Sequence, residues 1–368
     1  MSNNNITAFY SLIRAGLWAD VDVHLDLNKK VDWDEVYQLA EEQSVIGLVL
    51  AGLEHSIVKP PQELLLQWIG EVQMLEQQNK AMNQFVRKLV DKMRGAEIYT
   101  LLVKGQGVAQ CYERPLWRSC GDVDFYLSKE NYEKAKRYLN PLASSIGKED
   151  KRRLHYDITI EPWLVELHGT MYTELSKRMN SVLDDVHRDI FNYGNVRSWN
   201  NNGAIVFLPS EDNDVVIVFS HFINHFYGEG VGLRQICDWC RLLWTYRDSL
   251  NHGILKSRIK KAGLMTEWMT FAAFAVEYLG MPVEAMPFYD ESPKYSKKAK
   301  KLATLIIESG SLKANSDNGY RNNEPKWKAH FITFCKRFGE FVRIARIFPV
   351  NSPQFFVTYA FNRFKAVV

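Results

Sequence analysis

Two apolar runs between residues 101 and 127 constrain the fold of the chain more than any other feature. The first run ends at Lys104-Gly105, a short helix-like segment follows, and the second run carries Asp122 and Asp124 two residues apart. Side chains at positions i and i+2 of a β-strand point to the same side of a sheet. Both carboxylates would therefore meet at one place, while Val123 and Phe125 face the opposite way into a core.

The acidic pair also indicates chemistry. Two like charges held close together are costly unless a cation lies between them. A hard, oxygen-seeking ion such as Mg²⁺ binds in this way, through one or two carboxylates together with substrate phosphates. Acidic pairs on exposed strand faces are common without a metal, so the pair needs support from other residues.

A longer pattern surrounds the pair. A strand, a glycine, a short helix and then Asp-x-Asp on the next strand resembles the nucleotidyltransferase fold of the polymerase-β type. A fuller set of positions resembles its bacterial branch, usually called uncharacterised nucleotidyltransferase: Lys104, Gly105, Tyr112, Pro115, Arg118 and the run 121–124. The segment 163–168 resembles a later strand of that branch, in which an acidic residue and a histidine alternate. Glu166 is therefore the candidate third carboxylate, with His168 beside it.

The resemblance implies a Mg²⁺-dependent enzyme. Such an enzyme moves a nucleoside monophosphate from a nucleoside triphosphate, such as ATP, to a hydroxyl or phosphate of an acceptor that the sequence does not identify. Asp122 and Asp124 would hold two Mg²⁺ ions, with Mn²⁺ as the alternative, and Glu166 would bind the second ion or act as general base. Catalysis would rest on positioning and on electrostatic stabilisation of a charge-rich phosphorus centre.

The nucleotide-binding candidates are Lys104, Gly105, Gln106, Arg118 and His168. Gly105 would let the backbone approach the phosphates, and Lys104 and Arg118 would supply positive charge. Gln106 stands where many members of the superfamily carry Ser or Gly, although its amide can still donate a hydrogen bond. His168 is also expected to orient the third carboxylate. The departure at Gln106 keeps a second hypothesis open, a catalytically inactive nucleotide-binding or scaffold protein that retains the fold.

Other motifs favour simpler interpretations. Asp157 alternates with apolar residues on another predicted strand and competes for the position of third carboxylate. Cys237 and Cys240 form a C-x-x-C without a second pair, which is typical of small apolar residues in a helix core rather than of a zinc or redox site. His221 and His225 stand one helical turn apart, a spacing that suits a metal. The sequence has no His-Glu-x-x-His pattern and no obvious third ligand, so interhelical hydrogen bonding or the lining of the nucleotide cleft is favoured. The resemblance places several polar residues at positions facing the nucleotide cleft, namely His221, Asn224, His225 and Asp238.

Hydrophobic periodicity divides the chain into three regions. Residues 1–95 are expected to form an N-terminal helical region, 96–209 a region of short strands and helices, and 210–368 a C-terminal helical domain. The resemblance implies that 96–209 is the nucleotidyltransferase catalytic domain. The predicted fold class is α+β. A small mixed sheet with flanking helices would be embedded between the N-terminal helices and a C-terminal helical bundle.

Helix boundaries follow from capping residues. Asp32 is the predicted N-cap of a single helix over residues 33 to about 53. The pair Pro60-Pro61 opens another helix that extends to Met93. Ser128 is the predicted N-cap of a helix in the middle region.

Composition excludes several classes of protein. The 368 residues are 46% hydrophobic and 24% charged, with a net charge of +3, so the charge balance does not by itself demand a nucleic acid or an anionic membrane. Five cysteines and a polar start without an apolar targeting core predict a reduced, cytoplasmic setting. No apolar run reaches the roughly 20 residues of a membrane span, so no transmembrane segment is expected.

The segment from Trp327 to the end combines basic and aromatic residues. Its aromatic residues recur at spacings of three and four, which favours a terminal helix packed onto the core. A basic aromatic tail can also make weak contact with an anionic partner such as a membrane surface or a nucleic acid.

Overall fold

The computed structural model describes residues 3–18, 23, 30–228, 230–314 and 338–358. Four helices precede the sheet: α1 (Asn3–Leu17), α2 (Trp33–Glu42), α3 (Ile46–Glu54) and α4 (Gln62–Gly95). Six more helices follow the sheet or lie late in the chain: α8 (Glu211–Gly228), α9 (Leu233–Thr245), α10 (His252–Ala262), α11 (Met265–Leu279), α12 (Pro293–Ala314) and α13 (338–345), with a last helix α14 at 351–358.

The strands and the helices between them occupy the middle of the chain. The strands are β1 (Leu101–Val103), β2 (Asp122–Tyr126), β3 (Ser145–Ile146), β4 (His155–Ile160), β5 (Trp163–His168), β6 (Val196–Asn201) and β7 (Ala204–Pro209). The interspersed helices are α5 (Gly105–Ala109), α6 (Lys129–Leu139) and α7 (Lys177–Phe191).

All the named strands form one mixed sheet of seven strands in the order β3-β4-β5-β2-β1-β7-β6. The pairs β2/β5 and β1/β7 are parallel, and the other neighbours are antiparallel. The α+β class predicted from the sequence is confirmed.

Two hydrophobic cores lie on the two sides of the sheet. The side that carries Val123 and Phe125 packs against α4 and α6, and both of these side chains are buried there, as expected. The other core is larger and joins α1, α2 and α3 to the helices that follow the sheet, down to Phe348 and Phe355. Helices from both ends of the chain thus share one core, which closes over one side of the sheet.

Capping explains several helix starts. Asp32 accepts hydrogen bonds from the amides of Asp34 and Glu35 at the start of α2. Ser128 accepts a hydrogen bond from the amide of Asn131 at the start of α6. Both caps confirm the sequence prediction, because a short polar side chain satisfies amides that lack an intrahelical partner.

The single helix predicted over 33–53 is wrong. The chain turns between α2 and α3, where Ser44 has a φ of +56° that no α-helix tolerates. The reason is tertiary. Gln43 is fully buried, its Oε1 accepts from the amide of Leu233 at 2.8 Å, and its Nε2 donates to the carbonyl of Ile306 at 3.1 Å. The turn is therefore built to connect the N-terminal helices to α9 and α12.

The C-terminal prediction is covered only in part. Residues 327–337 and 359–368 lie outside the described residues, and contact with an anionic partner stays a prediction. Phe348 and Phe355 pack in the large core. Across the described residues no helix combines the length and apolar character needed to cross a membrane.

Replacing Gln43 by Leu is expected to lower the free energy of unfolding by about 2–4 kcal/mol, because two buried backbone groups lose their partners. Thermal or urea denaturation measures this. Gln38→Leu is the matched control, since Gln38 is exposed on α2, the helix that ends just before Gln43. An equal, small effect of both changes would mean that the buried turn does not hold the helices together.

Candidate functional site

Strands β2 and β5 bring three carboxylates to one side of the sheet. Asp122 and Asp124 alternate along β2, and the parallel register places Asp124 directly beside Glu166 on β5. Residues paired across neighbouring strands point to the same side. The three carboxylates therefore lie on the side opposite the buried Val123 and Phe125.

Asp124 is held by a lysine and a histidine. Its carboxylate is only 2% exposed, and its Oδ1 lies 2.6 Å from Lys104 Nζ and 2.9 Å from His168 Nε2. Burial alone would lower the pKa of Lys104. The negative charges of Asp124 and Glu166 have the opposite effect and outweigh burial, so the pKa of Lys104 is raised. The lysine is therefore a permanent cation at this point.

The junction between β1 and α5 positions Lys104. This residue has a φ of +56° and the following Gly105 a φ of +36°, both in the left-handed region. A non-glycine residue held there stores roughly 1–3 kcal/mol of strain, a cost that is typical of functional sites. A Cβ on Gly105 would also come within 3.3 Å of Cys120 Sγ, so this close approach to the start of β2 favours glycine.

Glu166 lies between two histidines. Its Oε2 is 3.3 Å from His155 Nε2 and 3.4 Å from His168 Nε2. Burial works to raise the pKa of Glu166, but the hydrogen bonds from both histidines and the charge of Lys104 lower it well below its ordinary value. The carboxylate is therefore ionised throughout the physiological range.

Asp122 differs from the other two carboxylates. No hydrogen bond or ion pair of its side chain is found within the described part of the chain. Burial, followed by the charge of Asp124, raises its pKa. A half-buried carboxylate without a partner is a group whose charge an added cation would stabilise.

These carboxylates line a cavity of about 1320 Å³ between the sheet and the helices. Opposite the sheet, α8 and α9 provide several polar side chains of the wall, namely His221, Asn224, His225, Arg234, Gln235 and Asp238. The size and polarity of the cavity suit a nucleotide with room for a second molecule.

Two nucleotide-binding candidates are already engaged inside the protein. Arg118 reaches the cavity wall, but Asp238 binds its guanidinium through both oxygens, at 2.7 and 2.6 Å. Gln106 does not line the cavity, because its side chain is buried on the other side of α5 and its Nε2 donates to Asn79 Oδ1 at 2.7 Å. The structure therefore brings Lys104, Gly105 and His168 to the carboxylates, and leaves the other two side chains as structural contacts.

Arg234 is a cavity residue that the sequence did not single out. Its Nη1 donates to the carbonyl of Ser119 at 2.7 Å, and its Nε is buried with no hydrogen-bond partner among the described residues. Among the described residues no carboxylate pairs with it, yet its charge acts to lower the pKa of Asp122. The one sequence signal was a basic residue in the first turn of a helix, two residues after Gly232 in the run Gly230-Val231-Gly232.

The remaining motifs have structural positions. Cys237 and Cys240 are free thiols buried in α9, in agreement with a helix-core role. His221 and His225 contact each other on α8 with ring centroids 4.5 Å apart and line the cavity. Asp157 lies beside Glu166 across β4 and β5, so it is a neighbour of the third carboxylate.

Comparison with known proteins finds one family. A family model described as an uncharacterised nucleotidyltransferase matches residues 29–280, well over half of the chain. This range contains the whole sheet and every carboxylate of the cavity. No curated protein and no solved structure was found to match the chain.

His221 generates a prediction about pH. Burial, then the charges of Lys104 and the neighbouring histidines, lowers its pKa well below the ordinary value of 6.5. Below pH 6.5, therefore, His221 binds a proton in the unfolded chain but not in the folded protein. Because the unfolded state gains this proton, the free energy of unfolding falls as the pH falls. In metal-free buffer His221→Gln is expected to flatten this dependence below pH 6.5, by at most about 1.4 kcal/mol per pH unit.

Chemical denaturation at a series of pH values measures that slope. His55→Gln is the control, because His55 is exposed. The assignment of a neutral His221 would be wrong if the slope of the His221→Gln protein matched that of the unaltered protein.

Proposed function

The chain belongs to the uncharacterised nucleotidyltransferase family, and on that premise we propose that it transfers a nucleoside monophosphate from a nucleoside triphosphate to a hydroxyl or phosphate of an acceptor. The proposal is carried by one observation. Three carboxylates share one side of the sheet at the wall of a 1320 Å³ cavity, and the side chain of Asp122 has no partner among the described residues.

The donor set at β2 fits Mg²⁺. Asp122 and Asp124 offer carboxylate oxygens, the ligand type this ion prefers, and the unpartnered charge of Asp122 favours a cation. Bound Mg²⁺, or Mn²⁺ in its place, would neutralise the triphosphate and lower the pKa of an acceptor hydroxyl.

Two cations of the chain are placed to hold phosphates. Lys104 lies at the carboxylates, on a backbone junction that Gly105 keeps open, and Arg234 enters from α9 with no carboxylate partner in the described structure. Arginine and lysine contact phosphate oxygens through charge-assisted hydrogen bonds. The triphosphate would therefore lie between the start of α5 and the start of α9.

Reaction requires a new bond between the acceptor oxygen and the α-phosphorus while the bond to the β-phosphate oxygen breaks and pyrophosphate leaves. The lowered pKa of Glu166 makes it a poor proton acceptor and favours the role of cation ligand over that of general base. His221 lines the same cavity as a neutral imidazole, but its own lowered pKa makes it a poor proton acceptor as well. It would accept a hydrogen bond from the acceptor hydroxyl, whose proton would pass to solvent. His168 orients both Asp124 and Glu166 through one nitrogen.

A second candidate is a silent nucleotide-binding protein that keeps the fold. The observation that favours it is the pairing of Asp124 with Lys104 and His168, which neutralises one carboxylate without any metal. Such a protein would bind nucleotide equally well with and without Mg²⁺. Calorimetric titration in Mg²⁺ and in chelator separates the two candidates.

Asp122→Asn is expected to reduce nucleotidyl transfer by about 100-fold or more, because a carboxylate that supports the phosphorus centre becomes neutral. Asp122 is a better test than Asp124, whose loss would leave Lys104 buried without its partner. The assay incubates the protein with each triphosphate and Mg²⁺ and follows pyrophosphate release and the mass of any product.

Asp91→Asn is the control for that substitution, since Asp91 is exposed on α4. Turnover that survives Asp122→Asn unchanged would remove Asp122 from the reaction. Absence of turnover with every triphosphate, together with metal-independent binding, would favour the silent protein.

Arg234→Gln is expected to weaken binding of a triphosphate in Mg²⁺ by about 10- to 100-fold, the value of one or two charge-assisted hydrogen bonds. Calorimetry measures this without any knowledge of the acceptor. Arg247→Gln is the matched control, because Arg247 does not line the cavity and its side chain donates to the carbonyl of Trp244. Equal dissociation constants for the two proteins would show that Arg234 does not touch the phosphates.

A further inference from the structure

The two histidines beside Glu166 form a compact cluster with it on strands β4 and β5. His155 on β4 and His168 on β5 are direct partners across the two strands. Their rings stack with centroids 4.7 Å apart and an angle of 16° between the planes. Both Nε2 atoms point at the same oxygen, Glu166 Oε2.

The spacing of these atoms matches a metal site. The three donor atoms all lie within 4.8 Å of one another, and the two nitrogens are 3.3 and 3.4 Å from Glu166 Oε2. Two ligand atoms at 2.0–2.1 Å from a tetrahedral ion are about 3.4 Å apart. Two of the three separations therefore have the required value before any side chain moves.

Asp157 provides a second, independent observation. Its Oδ1 lies 3.1 Å from His155 Nε2 but accepts no hydrogen bond from the described residues, although this atom is buried. A buried carboxylate oxygen without a donor is unfavourable, and a cation at the neighbouring nitrogen would satisfy it. Asp157 is thus a carboxylate next to an ion bound at His155, outside the group of three donor atoms that lie within 4.8 Å of one another.

The donor type separates this cluster from the pair on β2. Asp122 and Asp124 offer oxygen alone, whereas the cluster offers two imidazole nitrogens and one or two carboxylates. Imidazole suits zinc and other first-row transition metals, while Mg²⁺ binds oxygen and gives up its water reluctantly. One cation chemistry does not suit both places.

We propose that His155, Glu166 and His168, with Asp157 beside them, bind a first-row transition-metal dication of which Zn²⁺ is the representative. The site lies next to the proposed position of the triphosphate and shares Glu166 with it, but its existence does not depend on nucleotidyl transfer. An ion bound here would replace the hydrogen bond between His168 and Asp124. Asp124 would then contact only Lys104 and Mg²⁺. The ion would also add two positive charges next to the phosphates.

The test is a metal titration of the whole protein without nucleotide. Co²⁺ reports a four- or five-coordinate site of nitrogen and oxygen ligands through its visible absorption, and Zn²⁺ competes for it. One ion per chain is expected, bound far more tightly than Mg²⁺. His155→Gln and His168→Gln are each expected to weaken Zn²⁺ binding by more than about 100-fold, since even residues that only support ligands contribute 10- to 100-fold.

Two controls and one decisive variant make the test specific. Asp122→Asn is expected to keep the Co²⁺ spectrum while it loses transfer, so failure of the metal site and failure of the proposed function remain distinguishable. His221→Gln tests the other histidine pair of the cavity and is expected to change the spectrum little. His155 is partly exposed, so His155→Gln serves as the decisive variant if His168→Gln lowers the melting temperature in chelator.

Several results would overturn the proposal. One is Zn²⁺ affinity no greater than that for Mg²⁺. Another is tight binding that His155→Gln leaves unchanged or that His221→Gln abolishes, because the ion would then lie on α8. The third is a thiolate charge-transfer band with Co²⁺, which would assign the ion to cysteine.

Discussion

The parallel pairing of β2 with β5 is the constraint on which the site depends. It places Asp124 beside Glu166 and leaves Val123 and Phe125 in the core under the sheet. The side-chain period of a strand is two residues, so a slip of one residue would bury the carboxylates in that core and expose its apolar residues. Burial of the apolar side of the sheet therefore fixes the register of the strands, and this register brings the three carboxylates together.

Gathering three carboxylates has an electrostatic cost that the chain offsets with one lysine and with hydrogen bonds from two histidines. Lys104 and His168 share Oδ1 of Asp124, and His155 and His168 share Oε2 of Glu166. Asp122 receives no such partner in the described structure. Direct contacts with side chains of the described residues thus stabilise the negative charges of Asp124 and Glu166, but not that of Asp122 at the start of β2.

A buried ion pair holds the helical wall of the cavity in place. Asp238 on α9 binds Arg118 through both oxygens, and its Oδ1 also accepts from the hydroxyl of Tyr112 at 2.7 Å. Breaking one side of such a pair costs roughly 3–5 kcal/mol, because the other charge stays buried. Arg234 lies one helical turn before Asp238, so the same network fixes the position of the one wall arginine that has no carboxylate partner in the described structure.

What the sequence could predict was local. The alternation of Asp122 and Asp124 and the cap at Ser128 depend on neighbours in the chain, and both are read directly from spacing. The break after Gln43 was missed because its cause is a pair of contacts with Leu233 and Ile306, far away in the sequence. The sequence likewise predicted that Arg118 would be available to bind phosphate, because its actual partner, Asp238, is also far away in the sequence.

The partner of Arg118 lies 120 residues away, and only the folded chain shows that its charge is already neutralised while that of Arg234 is not. Long-range pairing of this kind decides which of many basic residues can meet a ligand. Spacing identifies the acidic side of the site, since strands impose it locally. The positions of the basic side chains in the site depend on how the helices pack, and no periodic pattern in the sequence reports that packing.

The two ends of the acidic row differ in what surrounds them. Toward β1 the neighbours of Asp122 and Asp124 are Lys104 and Arg234, permanent cations suited to phosphate. Toward β4 the neighbours of Glu166 are histidines and Asp157, groups that exchange a proton for a metal ion. A phosphate chain would be favoured at the first end and a nitrogen-seeking cation at the second. The acceptor would then enter from the side of α8, where His221, Asn224 and His225 complete the wall.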